Sequence, residues 1–209
     1  MPWYYYLAGL IVRMLLRLFT RWQVKGRENI PNQGPLLVVA NHVNLVDVPL
    51  LGASFDRRVI FMAKKELFHF RLIGHVIGSF GAFPVHRGQL DRKALRQANR
   101  VLADGQTLIT FPEGTRSHSG RLGHAFPGSA LIALRSGAPI LPVGITGTEN
   151  IKGIAWILHR PQITVTFGYP FHLPPVNGKL SKTELAESTN CMMKHIAELL
   201  PTKYQGVYV

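Results

Sequence analysis

Short, continuous runs of apolar residues alternate along this chain with segments of helical periodicity, and this alternation limits the possible folds more than any other feature. Runs such as PLLVVA (35–40) and QTLITF (106–111) indicate strands that are buried on both faces of a sheet. Helices between the strands would cover both faces. The sequence therefore predicts an α/β fold with a mixed, largely parallel sheet flanked by helices. We predict strands at 35–40, 58–63, 81–85, 106–111, 140–145 and 163–167, and helices at 46–55, 65–79, 91–103, 128–135 and 181 to about 200.

The first 25 residues are predicted to form a separate membrane-associating segment. WYYYLAGLIVRMLLRLFTRW (3–22) is apolar, but Arg13, Arg17 and Arg21 recur every four residues and so line one helical face. An arginine at the centre of a membrane span costs about 2.5–3.5 kcal/mol, and no basic region precedes the apolar run as in a cleavable signal. We therefore predict an amphipathic helix at the membrane interface, with its apolar side in the acyl region and its guanidinium groups on lipid phosphates. A core helix and a shallow span are the alternatives.

The segment GRENIPNQGP (26–35) is rich in turn-forming residues and suggests a domain boundary. Residues 1–25 would be the amphipathic helix, and residues 26–209 the main domain.

The charge balance of the whole chain indicates what kind of partner it binds. Lys and Arg number 24 against 11 acidic residues, a formal net charge of +13. This excess favours an anionic partner, such as anionic lipid, a phosphorylated small molecule or nucleic acid. The single cysteine, Cys191, excludes an intramolecular disulfide and a cysteine-based zinc site.

The stretch ANHVNLVD (40–47) is the first candidate for chemistry. His42 follows a predicted strand, and Asp47 falls in the first turn of the next helix, where the helix dipole favours a carboxylate. A spacing of five does not suit one helix face, but it suits a strand–turn–helix unit in which both side chains return to one point. A carboxylate on one imidazole nitrogen leaves the other nitrogen free to take a proton from a hydroxyl. The alternative is a helix-capping asparagine or aspartate beside an unrelated histidine.

Two further loops are candidate phosphate sites. FPEGTRS (111–117) follows a predicted strand directly and offers backbone N–H groups, the Thr115 hydroxyl and the Arg116 guanidinium. Glu113 in this loop would accept hydrogen bonds from substrate hydroxyls or hold the arginine. GAFPVHRG (81–88) supplies Arg87 as a second phosphate ligand, and LPVGITG (141–147) would form a pocket wall. A P-loop, a dinucleotide fingerprint, a nucleophile elbow and an HExxH zinc motif are all missing from the sequence.

These four stretches, in this order, resemble the four motifs of the glycerolipid acyltransferases, the family typified by 1-acylglycerol-3-phosphate acyltransferases. N-H-x4-D is matched by residues 41–47, F-P-E-G-T-R-S by residues 111–117, and the two remaining motifs resemble GAFPVHRG and LPVGITG. FMAKKEL (61–67) also resembles the family's segment between its first two motifs. The resemblance covers roughly residues 26–162. His86 departs from the pattern, because many members carry an acidic residue there.

The resemblance implies an acyl transfer to lysophosphatidic acid. His42 would act as general base, oriented by Asp47, on the sn-2 hydroxyl, which attacks the thioester of acyl-CoA or acyl-carrier protein and gives phosphatidic acid. No cofactor, metal or covalent acyl-enzyme is expected. The acceptor phosphate would be held by Lys64, Arg87 and Arg116 with the backbone of Gly114 and Thr115.

The remaining expectations concern location and the choice of substrate. We expect a peripheral or monotopic protein on the cytoplasmic face of the cell membrane, bound to an anionic membrane surface and not to nucleic acid. Three alternatives stay open at this stage: another acceptor, such as glycerol 3-phosphate, a different lysophospholipid or a non-phosphate lipid; a non-catalytic basic membrane-binding protein; and a nucleic-acid-binding domain, suggested by the charge alone.

Overall fold

A single sheet of seven strands organises the part of the chain that the computed structural model describes, residues 3–88, 91–175 and 180–208. The strands are β1 (Arg21–Lys25), β2 (Leu36–Ala40), β3 (Val59–Lys64), β4 (Phe83–Val85), β5 (Thr107–Thr110), β6 (Ile140–Thr146) and β7 (Gln162–Phe167). Their order is β1-β7-β6-β2-β5-β3-β4. The five strands from β6 to β4 run parallel, β7 is antiparallel to β6, and β1 is parallel to β7. The predicted mixed, largely parallel sheet is confirmed.

Helices cover the sheet on both faces, as the apolar runs predicted. They are α1 (Trp3–Phe19), α2 (Asp47–Ser54), α3 (Arg71–Ser79), α4 (Arg92–Ala103), α5 (Gly128–Ser136), α6 (Trp156–His159) and α7 (Lys182–Ala197), with short 3-10 turns at Arg27–Asn29, Lys65–His69, Thr148–Asn150 and Thr202–Tyr204. Strand β2 shows the division of the core. Leu37 and Val39 pack with buried residues of α4, α5 and α7, whereas Leu36, Val38 and Ala40 pack with those of α1 and α2.

The predicted helix at 65–79 is interrupted in the structure. Residues Lys65–His69 form a 3-10 turn, Phe70 is extended, and α3 begins only at Arg71. Gly74 allows this reversal, because a Cβ there would lie 2.9 Å from the Phe68 Cα. The apolar periodicity was therefore correct, but the break required a close backbone approach that periodicity does not reveal.

Strand β1 corrects the predicted boundary after residue 25. Helix α1 ends at Phe19, and Arg21–Lys25 pairs with β7 as an edge strand of the sheet. The alternating burial of RWQVK is typical of such an edge, but the four-residue arginine spacing made it resemble a continuation of the helix. The turn-rich segment that follows is therefore a loop within the sheet domain.

Helix α1 docks on the protein through the face that carries Arg13. The Arg13 guanidinium donates to the carbonyl oxygens of Ala53 (2.8 Å) and Phe55 (2.7 Å) and pairs with Asp56 (3.2 Å). The predicted contact of this guanidinium with lipid phosphates is therefore wrong, because three acceptors of the protein already hold it. Leu16 is buried beside it. In the described part of the chain, none of the helices has both the length and the apolar character needed to cross a membrane.

Asp91 begins α4 and joins it to the end of β4. One carboxylate oxygen accepts from the backbone N–H groups of Lys93 and Ala94, both at 3.0 Å. The other accepts from the backbone N–H (3.0 Å) and Nδ1 (2.8 Å) of His86. Burial opposes ionisation, but these hydrogen bonds outweigh it and hold the pKa of Asp91 well below its usual range. The carboxylate is thus both a helix cap and a link between two elements.

The Asp91→Ala change should lower the free energy of unfolding by about 1 kcal/mol at neutral pH, the usual cost of losing such a cap. Because the folded-state pKa is depressed, the carboxylate's contribution is present above the unfolded-state pKa of about 3.9 and is lost as the pH falls below it. Urea unfolding at pH 7 and at acid pH measures this difference, with Asp91→Asn as a control that keeps most of the cap. A gap between wild type and Asp91→Ala that did not shrink in acid would contradict the assignment.

Candidate active site

His42 and Asp47 meet at the carboxyl edge of β2. The imidazole Nδ1 lies 2.8 Å from Oδ2 of Asp47, and the two residues are 3% and 0% exposed. The same Oδ2 accepts from the backbone N–H groups of Val43 (2.7 Å) and Asn44 (2.8 Å), so the turn between β2 and α2 closes around the carboxylate. These contacts explain the spacing of five. With Nδ1 bound to the carboxylate, Nε2 makes no hydrogen bond to any of the residues the structure describes.

Two asparagines of the same stretch fix the turn to neighbouring elements. The Asn41 side-chain amide donates to the carbonyl oxygen of Ile145 (2.8 Å) and its oxygen accepts from the Ile145 N–H (2.7 Å), which joins the end of β2 to β6. The Asn44 amide donates to the carbonyl oxygen of Thr148 (3.0 Å), and its oxygen accepts from the Val46 N–H (3.2 Å). Both side chains therefore position the histidine turn. The sequence did not predict these contacts with β6 and with the turn at Thr148.

Phe111 sets the orientation of the imidazole from the neighbouring strand. Its ring stacks on His42 with a centroid distance of 4.2 Å and an interplanar angle of 20°. Because β5 lies next to β2, the residue just after β5 comes to lie beside the residues that follow β2. An aromatic residue immediately after a strand, at the start of a polar loop, is the signal that would have indicated this contact.

Glu113 contacts the protein backbone, which corrects its predicted role. One carboxylate oxygen accepts from the His42 backbone N–H (3.0 Å) and the other from the Gly123 N–H (2.9 Å). The residue is 4% exposed. Burial raises the pKa of this carboxyl group, and the two hydrogen bonds oppose that shift. With both oxygens bound to backbone donors inside the protein, Glu113 is a positioning residue that links the two loops, and not the substrate or arginine ligand that we predicted.

The rest of the FPEGTRS loop is folded so that its polar residues point outward. The Ser117 N–H donates to the carbonyl oxygen of His42 (2.7 Å), a second link between the two loops. Gly114 adopts a φ of 67°, and a Cβ at this position would lie 2.8 Å from the Phe126 ring. Thr115 and Arg116 are exposed. Glycine is therefore required here by both conformation and space, and the loop presents its next two residues to solvent.

The three cations predicted to bind phosphate come to the same edge of the sheet. Lys64 ends β3 and is paired in register with Val85 of β4, two residues before Arg87. Burial lowers the pKa of the Arg87 guanidinium; the nearby Glu66 carboxylate opposes this shift and the Arg116 charge adds to it. The Nζ atom of Lys64 also lies 3.8 Å from Oε1 of Glu66. A positive site thus forms beside the histidine, with one carboxylate as its counter-ion.

An apolar cavity of about 300 Å³ has one of these cations, Arg87, in its lining. Arg87, His86 and Asp91 are among its lining residues, and Phe111, which stacks on His42, forms part of its wall. The remaining lining is mostly apolar and comes from β3, β4, α4, α5 and the loop before α5, including Met62, Val85, Leu95, Phe126 and Ile132. The histidine, the positive site and an apolar cavity therefore adjoin one another. This combination fits a substrate with a hydroxyl, an anionic group and a hydrocarbon portion.

Comparisons with known proteins agree with this geometry. A family model described as Acyltransferase matches residues 21–146, more than half of the chain. A 1-acyl-sn-glycerol-3-phosphate acyltransferase of Streptococcus pneumoniae is 34% identical over 83% of this chain and 64% of its own length. A lyso-ornithine lipid O-acyltransferase of Pseudomonas aeruginosa is 33% identical over 67% of this chain and 58% of its own length.

This chain is also similar in its fold to a protein of known structure. The crystal structure of the 1-acyl-sn-glycerophosphate (LPA) acyltransferase PlsC from Thermotoga maritima superposes with a TM-score of 0.71 and 29% sequence identity, covering 93% of this chain and 78% of that one. Among the curated relatives, the chain spans about half to two thirds of the length of the first three.

Proposed function

Because this chain belongs to the acyltransferase family, we propose that it transfers an acyl group from an acyl thioester to the sn-2 hydroxyl of lysophosphatidic acid, giving phosphatidic acid. The observation that carries this proposal is the His42–Asp47 pair beside a positive site and an apolar cavity. The acyl donor, acyl-CoA or acyl-carrier protein, is a co-substrate, and the reaction calls for no cofactor. Phosphatidic acid is a precursor of phospholipids, so the activity belongs to phospholipid biosynthesis.

In the proposed reaction His42 Nε2 removes the proton of the acceptor hydroxyl. The oxygen attacks the thioester carbonyl carbon, a new C–O bond forms, and the C–S bond breaks as the tetrahedral intermediate collapses. The imidazolium then returns its proton to the leaving thiolate. Asp47 holds the tautomer that leaves Nε2 unprotonated and stabilises the imidazolium while it exists. The hydrogen bonds from Val43 and Asn44 fix the carboxylate in turn.

The acceptor phosphate would bind at the positive site. Arg87 and Arg116 offer guanidinium forks suited to phosphate oxygens, and Lys64 adds a third cation. The backbone N–H of Thr115 is a further donor in this loop. The Gly114 N–H, predicted from the sequence to bind the phosphate as well, instead donates to the carbonyl oxygen of Phe111 (2.9 Å). Phosphate binding here would place the hydroxyl near His42, and such positioning supplies a large part of the rate enhancement in bimolecular transfers. The apolar cavity would accept hydrocarbon from one of the two substrates.

A second candidate acceptor is a lyso-ornithine lipid, because one relative of similar identity is a lyso-ornithine lipid O-acyltransferase. Its acceptor carries no phosphate. The cations of the positive site favour the phosphate-bearing acceptor for this chain. An acceptor panel separates the two proposals, with lysophosphatidic acid, lyso-ornithine lipid and glycerol 3-phosphate each supplied with a labelled acyl thioester. The first acceptor should give the highest kcat/KM, and a preference for lyso-ornithine lipid would overturn the choice of substrate while leaving acyl transfer intact.

The Arg116→Leu change should raise the KM for lysophosphatidic acid about tenfold or more, because a charge-assisted contact to phosphate contributes about 1.5–3 kcal/mol. The turnover of an acceptor without phosphate should change little. Arg135→Leu is the matched control. It removes the same charge, but Arg135 lies in the last turn of α5, away from the positive site. Equal losses for acceptors with and without phosphate would contradict a phosphate-binding role.

We propose that the protein works on an anionic membrane surface, on its cytoplasmic face, as a peripheral or monotopic protein. The outward side of α1 exposes Trp3 (74%), Leu10 and Leu18, while its inward side is docked through Arg13. Two further elements adjoin α1 through aromatic contacts, Tyr4 with Phe80 after α3 and Phe19 with Trp156 of α6. We call the exposed apolar residues of α1, α3 and α6 the membrane-facing surface; they include Leu72, Ile73, Val76 and Leu158.

The double change Leu10→Glu with Leu18→Glu should abolish most co-sedimentation with anionic vesicles, because two exposed apolar side chains are lost and negative charge is added. The fold should be unaffected, since both side chains are exposed. Val207→Glu changes an exposed apolar residue outside the membrane-facing surface and should leave vesicle binding unchanged. Unaltered sedimentation of the double variant would contradict the proposed surface.

A further inference from the structure

Helix α4 carries a one-sided set of cations that the proposed reaction does not use. Its sequence RKALRQANRVLA contains four basic residues and no acidic one. At 3.6 residues per turn, the four lie within an arc of about 100° on the helix. All four are exposed, and the opposite side of the helix is buried in the core. We call this set the α4 cation face; its members are Arg92, Lys93, Arg96 and Arg100.

Most of the α4 cation face opposes the stability of its own helix; Arg100, in the last turn, is the member that the helix dipole favours. Arg92 and Lys93 occupy the first turn, where the helix dipole disfavours positive charge. Arg92, Arg96 and Arg100 follow one another at intervals of four, an arrangement in which like charges repel. Within the described residues, none of these cations takes part in an ion pair. Local helix stability therefore does not explain the arrangement, whereas an external anionic partner would.

The position of α4 distinguishes between a membrane and a soluble partner. α4 covers the sheet face shared with α5 and α7, whereas α1 covers the opposite face. The α4 cation face thus points away from the layer that contains α1, the largest part of the membrane-facing surface. On its inner side, Ala94 and Leu95 line the apolar cavity beside Arg87. A partner bound to α4 would therefore lie at the wall of the candidate active site without competing with the membrane.

The dimensions and composition of the face indicate a protein and not a nucleotide. From Arg92 to Arg100 the helix rises about 12 Å, at 1.5 Å per residue, which is longer than a single phosphate group requires. α4 contains no aromatic residue on which an adenine ring could stack. A row of cations spaced along one helix is complementary to a row of carboxylates on a partner's surface.

We propose that the α4 cation face is the docking surface for an acidic acyl-carrier protein that delivers the acyl thioester to the site. This inference rests on the proposed acyl transfer and identifies the donor. Docking on α4 would place the carrier's thioester-bearing arm at the cavity wall formed by the same helix. Electrostatic contacts of this kind act mainly on encounter, so they should affect the KM for the carrier and its salt dependence more than kcat.

The test measures acyl transfer from two soluble donors by the 209-residue chain, with and without a charge-reversed α4. Arg96→Glu with Arg100→Glu is the variant, and Lys182→Glu with Lys194→Glu on α7 is a control with the same change in net charge at exposed positions. Acyl transfer to lysophosphatidic acid is measured with acyl-carrier protein and with acyl-CoA. For the α4 variant, the KM for acyl-carrier protein should rise about tenfold or more and lose its salt dependence, with kcat unchanged. Its kinetics with acyl-CoA should match those of the wild type.

Several outcomes would overturn the docking surface. These are an unchanged KM for acyl-carrier protein, an equal loss with both donors, an equal loss in the α7 control, or a loss of vesicle binding in the α4 variant, which would identify the face as a membrane contact. A wild type that uses acyl-CoA but not acyl-carrier protein would also overturn it, while leaving the acyl transfer intact. A wild type inactive with both donors would instead count against the proposed function.

Discussion

The Asp47→Asn protein should still fold and lose about 10²–10⁴-fold in kcat. We expect a loss of stability of about 1–3 kcal/mol, because the new amide N–H groups replace Oδ1, a buried oxygen with no hydrogen-bond partner among the described residues. Its amide oxygen can still accept the hydrogen bonds that Val43 and Asn44 donate to the native carboxylate, so the turn is preserved. The neutral amide, however, cannot stabilise the imidazolium that forms when His42 takes the hydroxyl proton. The loss should therefore appear in kcat, with little change in the KM for either substrate.

The measurement is steady-state kinetics alongside thermal unfolding. Asp56→Asn is the matched control, because Asp56 is an exposed carboxylate that pairs with Arg13 and Arg27 outside the candidate site. It should retain wild-type turnover. An Asp47→Asn protein with kcat within a few-fold of wild type would show that Asp47 has only a structural role. That result would contradict the proposal that Asp47 assists proton transfer to His42.

The Glu113→Ala change should produce the largest loss of stability, roughly 2–6 kcal/mol. It removes the acceptor of two backbone N–H groups, those of His42 and Gly123, and each buried donor left without a partner costs about 1–3 kcal/mol. Because the carboxylate holds the backbone of His42 itself, kcat should fall even at temperatures where the variant is folded. Urea unfolding and kinetics on the same preparation measure the two effects.

The Glu113→Gln change distinguishes positioning from substrate binding. The glutamine can accept one of the two hydrogen bonds but presents an amide donor to the other N–H group, so we expect an intermediate loss of stability and a fall in kcat without a specific rise in the KM for the acceptor. A variant with wild-type stability and an increased acceptor KM alone would contradict the structure and restore the ligand role that the sequence suggested.

The sequence predicted correctly those features that depend on residues close together in the chain, and it failed where the contacts join distant segments. Six of the seven described strands were predicted because their apolar runs are continuous, whereas β1 was missed. The His42–Asp47 pair was predicted because a strand–turn–helix unit brings close neighbours together. Glu113 was misassigned because its partners, His42 and Gly123, come from two other loops that only the folded sheet brings to it. A carboxylate in a polar loop has the same sequence signature whether it faces solvent or backbone.

The amino-terminal segment shows the same limit. The spacing of Arg13, Arg17 and Arg21 correctly indicated one helical face for the first two, but not which side of the helix meets the protein. Arg13 docks inward because Ala53 and Phe55, at the end of α2, present free carbonyl oxygens to it. Arg21 lies in an edge strand whose partner, β7, is distant in sequence. Long-range pairing of this kind is not encoded in local periodicity.

The most direct test of the proposed function is acyl transfer to lysophosphatidic acid in vesicles, with labelled oleoyl-CoA and labelled oleoyl acyl-carrier protein supplied in parallel and His42→Ala as the paired variant. We predict that the wild type forms labelled phosphatidic acid with at least one donor, and that the folded, vesicle-bound variant forms about 10²–10⁴-fold less. Equal product from both proteins would contradict the assignment of His42 as the base. No phosphatidic acid from a folded wild type with either donor would contradict the proposed function.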